Sequence, residues 1–194
     1  MDASQAREQL DSVATIVRTA DRRLHVQPWI FVVWGLFAAL INAARQARLA
    51  GVAVPGDAYL QPLLLVLAIG ATVWLSVRTE GGRETLMDRH AGIVFSVVLA
   101  VLLIANLTAQ HRVVPYEGMA LFWSFGLAMA LLIAGLEASR TLLAGGVALV
   151  AAGVAACFTP EWFSGVLAAG WFAGLVVPGI VLAVRDSNGR AAAQ

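Results

Sequence analysis

The sequence predicts an all-α, polytopic membrane protein, a six-transmembrane-helix bundle preceded by a cytosolic amphipathic helix. Three observations predict it. Hydrophobic residues make up 60% of the 194-residue chain and charged residues only 13%, too much apolar surface for one aqueous core to hide. Six uncharged, mostly apolar stretches lie near 28–44, 59–77, 91–109, 118–136, 141–158 and 162–184. Each approaches the roughly 20 helical residues needed to cross a hydrocarbon core of about 30 Å. The arginines also segregate. With the N-terminus inside, the inner segments hold Arg7, Arg18, Arg22, Arg23, Arg78, Arg83, Arg89, Arg140, Arg185 and Arg190, and the outer loops only Arg45, Arg48 and Arg112. That bias predicts both termini on the cytoplasmic side. All 13 basic residues are Arg, which points to a GC-rich bacterial genome and hence to a bacterial cytoplasmic (inner) membrane.

Residues 1–27 form the first unit, a cytosolic N-terminal helix over 2–24. Asp2 is its N-cap, with Gln5 in capping-box spacing. Ala3, Ala6, Leu10, Val13, Val17, Ala20 and Leu24 follow alternating spacings of three and four, a seam for packing against another surface. Acidic Asp2, Glu8 and Asp11 precede basic Arg18, Arg22 and Arg23, which complements the helix dipole and places cations near an anionic leaflet. Such a helix either packs along the bilayer surface or under the bundle, or docks a partner or a second copy; in the second case Leu10, Val13, Val17 and Leu24 are the contact residues. The segment is too polar for a cleaved signal, so the first span is read as a signal anchor.

The six-span bundle covers 28–184. The first span continues as helix toward Gly51, with Pro55 and Gly56 completing a turn. Residues 78–90 form the longest charged loop; its Gly81-Gly82 pair lacks the spacing of a phosphate-binding loop. Small residues recur every fourth position in each span: Gly35, Ala39 and Ala43; Ala68, Thr72 and Ser76; Gly92, Ser96 and Ala100; Gly126, Ala130 and Ala134; Ala144, Ala148, Ala152 and Ala156; Gly165, Ala169 and Ala173. Such rows permit the close backbone approach on which membrane helices rely. The fifth span, with no aromatic residue before Phe158, is expected at the centre. In the sixth, Gly170 and Gly174 read as packing residues, and Pro178 predicts a bend that is either static or a hinge at Gly174 and Pro178. Residues 185–194 read as a short disordered tail.

Function is less readable. No Arg, Asp or Glu lies deep in a span, although a mid-membrane charge, at about 2.5–3.5 kcal/mol, is kept mainly for function. Asn42, Gln61, Asn106 and Ser124 fall at similar depth, and form either a polar layer for a small neutral solute or interhelical hydrogen bonds. His25 and His90 are expected inside and His111 outside, so they cannot share a metal. Ser124 and Ser164 have no nearby base, and Cys157 reads as core filler that leaves no disulfide framework. No cofactor is expected, and a net charge of +1 gives no reason to expect nucleic acid. The leading expectation is a non-enzymatic scaffold, assembly or regulatory subunit that contacts a partner through residues 2–24 while the bundle sits in lipid. A transporter or channel subunit for a small neutral or apolar solute is the alternative, and a lipid-directed enzyme using Glu84, Asp88 and His90 a distant third.

Overall fold

Apolar periodicity resolves into helices at every described position where the sequence predicts a span. The computed structural model describes residues 28–54, 56–78, 93, 95, 97–102, 104, 115–137 and 139–191. The helix expected over 2–24, the 79–92 loop and Asn106 lie outside the described residues. The helices are α1 (Pro28–Leu49), α2 (Asp57–Arg78), α3 (Tyr116–Glu137), α4 (Arg140–Phe158), α5 (Phe163–Trp171) and α6 (Val177–Ala191). Described positions between 93 and 104 are also helical. A 3₁₀ turn at Pro160–Trp162 opens the sixth predicted span, and a π turn at Phe172–Val176 joins α5 to α6. There is no strand among the described residues. Among the described residues, four helical stretches are long and apolar enough to cross a membrane: Pro28–Leu49, Tyr116–Leu136, Arg140–Phe158 and Pro160–Asn188. Tyr59–Leu75 is a shorter apolar helix.

Glycines set how closely these helices approach. A methyl group at Gly35 would stand 2.8 Å from Leu175 Cβ, and one at Gly179 would stand 2.8 Å from the Pro28 carbonyl. These contacts hold α1 antiparallel to the sixth span along its length. The α3–α4 hairpin turns within two residues. Ser139 caps α4 by accepting from Thr141 N at 3.3 Å, and Gly135 admits the backbone of Leu143. Positive φ at Gly51 (+78°) and Gly56 (+68°) allows the turn between α1 and α2, as their placement in the sequence predicts. Leu102 seats on Gly126, where an added methyl would meet Leu102 Cδ2 at 2.7 Å, and Phe95 stacks against Phe31 with centroids 5.6 Å apart.

Three expectations change. The sixth span, not the fifth, is the most buried, because it packs on both α1 and α4 and touches α3. The fifth span packs through Leu142, Gly145, Gly146, Leu149, Gly153 and Ala156, while Ala144 of the expected alanine row is exposed. Likewise Ala169 and Ala173 of the sixth-span row are exposed, and Gly170 and Gly174 are buried. Finally, α6 runs on to Ala191, so most of the expected 185–194 tail is helix.

Candidate functional site

Polar side chains gather where the end of α1 meets the starts of α3 and α5. Arg45 Nη2 donates to Glu117 Oε1 at 2.8 Å, and its guanidinium carbon lies 3.4 Å from the Tyr116 ring centroid. Glu117 sits in the first turn of α3, where a carboxylate also complements the helix dipole. One turn earlier on α1, buried Asn42 donates Nδ2 to Ala38 O at 2.9 Å and accepts a long 3.4 Å contact from Tyr116 OH. Gln46 completes the group. Its Nε2 donates to Glu161 O at 2.8 Å and its Oε1 accepts from Gly165 N at 3.1 Å. The residue at the N-cap of α5, Trp162, makes no side-chain capping bond. Gln46 therefore caps α5 from a neighbouring helix, satisfying one of the N–H groups that every helix start leaves open.

Deeper in the bundle, Ser124 is fully buried; it donates to Ala120 O at 2.9 Å and accepts from Trp171 Nε1 at 3.1 Å. Asn42 meets Tyr116, and Ser124 lies eight residues further along α3, about 12 Å at the helical rise of 1.5 Å. The two do not form one layer. Gln61 is exposed, and Asn106 lies outside the described residues. Between α1 and α2, Trp34 Nε1 donates to Thr72 Oγ1 at 3.1 Å. Among the described residues, two buried polar atoms have no hydrogen-bond partner: Arg45 Nε and Ser164 Oγ.

Gly174 and Pro178, where the sequence predicts a bend, are packed. Pro178 has no N–H to offer the Gly174 carbonyl, and the helix widens just upstream, with Val177 N–H bonded to Phe172 O five residues back. The Gly174 carbonyl lies against the Cα of Gly145. In return, the Gly145 carbonyl stands 3.0 Å from where a methyl on Gly174 would be. Facing glycines of this kind allow the close backbone approach on which membrane helices rely. Cys157, expected in the core, is exposed, and its Sγ lies 3.3 Å from Gly153 O in the preceding turn. The contact residues Leu10, Val13, Val17 and Leu24 and all three histidines lie outside the described residues.

The fold defines the class: a helical membrane protein whose polar side chains tie helix to helix. Protein-family models, curated proteins and solved structures yield no match to this chain.

Proposed function

We propose that this protein is a six-span scaffold, assembly or regulatory subunit of a bacterial inner membrane, with no enzymatic activity, which contacts a partner protein through residues 2–24. The observation that carries the reading is the use made of the bundle's polar groups. Asn42, Gln46, Ser124 and Trp171 direct their hydrogen bonds to one another's helices or to backbone, as interhelical links in membranes do. A solute site would keep such groups available to its ligand. Charged side chains instead gather outside the spans, in the 78–90 loop and in the predicted N-terminal helix, which alone joins them to an apolar seam.

The packing of α2 and of Phe95 along α1 supports the six-span threading. α1 runs antiparallel to α2 through Trp34–Thr72, to α3 through Asn42–Tyr116 and to the sixth span through Gly35–Leu175. Phe31 and Phe95, each near the start of its own segment, pair as parallel neighbours should. Each relation follows from a chain that crosses at every predicted span.

The test is removal of residues 2–24 from the full chain, followed by gentle solubilisation and mass spectrometry of what co-purifies. Loss of a companion protein, or a change of oligomeric state, is expected. Unchanged companions and assembly would refute the reading.

A further inference from the structure

We propose that the predicted N-terminal helix docks on its own bundle, seating Val17, Ala20 and Leu24 in a groove between the start of α1 and the end of α6. The groove has a volume of about 260 Å³ and is lined by Trp29, Ile180, Ala183, Val184, Asp186 and Ser187. Its apolar wall is open: Trp29 is 51% exposed, Val184 52% and Ile180 43%.

Three arguments identify the occupant. The first is connectivity, because residues 1–27 enter the bundle at Pro28, directly beside Trp29. An extended chain spans at most about 3.3–3.6 Å per residue, so Leu24 is held within roughly 14 Å of Pro28. A segment tethered this closely meets the groove at an effective concentration in the millimolar range. The second is pattern. The seam nearest Pro28 is Val17, Ala20 and Leu24, apolar groups at one-turn spacing facing an apolar wall. The third is charge. The polar edge of the groove carries Asp186, and the segment carries Arg18, Arg22 and Arg23. An anionic lipid headgroup would meet like charge at Asp186, whereas this segment brings opposite charge.

The inference rests on residues 2–24 being the contact element proposed above, and it adds regulation: the seam that would bind a partner is held by the bundle until the partner displaces it. The test uses the full chain in native membranes, with Cys157→Ala removing the lone thiol. Val17→Cys or Ala20→Cys is paired with Ser187→Cys and oxidised mildly. An intramolecular disulfide is expected from at least one pair. Asp186→Arg should lower its yield by about two- to fivefold, the range that an exposed ion pair provides, and adding Arg22→Asp and Arg23→Asp should restore it. Absence of the disulfide from both pairs, dimers in its place, or a yield blind to the charge reversal would overturn the proposal. A chain that forms the disulfide yet keeps every companion after loss of residues 2–24 would support docking while refuting the partner reading, so the two failures are distinguishable.

Discussion

Ser124 shows what a single polar residue does in this bundle. Its hydroxyl donates to the preceding turn and accepts from Trp171, so each group has a partner where water is absent. Ser124→Ala would leave the indole N–H of Trp171, itself 7% exposed, without an acceptor. Leaving a buried donor unmade costs about 1–3 kcal/mol, and removing both partners together is much milder. Ser124→Ala should therefore lower the unfolding midpoint in detergent, and adding Trp171→Phe should recover part of the loss. Additive losses in the double variant would show that the bond contributes nothing. The sequence marks Ser124 and Asn42 as notable because polar residues stand out in apolar spans. It does not reveal their partners, which depend on helix rotation and on aromatic groups such as Tyr116 and Trp171. Gln46 is not marked by the sequence because it lies past the first span; Trp162, a poor capping residue ahead of α5, is the only hint that a cap comes from elsewhere.

Among elements, the contact between α4 and the sixth span depends on glycine. Gly145 meets the Gly174 carbonyl and stands, at its methyl position, 2.9 Å from Pro178 Cγ, so neither neighbour can yield cheaply. Gly145→Ala should destabilise the bundle by about 1–3 kcal/mol through overpacking. Gly70 has nothing within 4 Å of its methyl position, so Gly70→Ala should be neutral or slightly stabilising through helix propensity. Thermal unfolding of both variants in one detergent checks the contrast, and equal effects would mean that the seam is not tight. Span positions were readable because hydropathy depends on composition alone. The packing stripes were not. Ala and Gly both look small in a sequence, yet large side chains on the facing helix, Leu149 against Gly174 and Leu132 against Gly146, decide which small residue must lack a Cβ. Pro178 announces a bend, but not the π turn at Phe172–Val176 into which the helix widens just upstream of it.

Across the whole molecule, the sixth span holds the fold together, tied to α1 by Gly35 and Gly179, to α4 by Gly170 and Gly174, and to α3 by Trp171. α2 is largely exposed, with Val66 67% exposed and Val73 58%, surfaces suited to lipid. Among the described residues four helices are long and apolar enough to cross; the six-span reading requires α2 and the 93–104 segment to cross as well. A chain that crossed only at the four would place everything from 50 to 115 on one side of the membrane. Cysteine accessibility separates the two arrangements in right-side-out vesicles with Cys157→Ala as background. The six-span account predicts that Val52→Cys reacts with an impermeant maleimide, whereas Glu84→Cys reacts only after permeabilisation. Labelling of Glu84→Cys in sealed vesicles would contradict it.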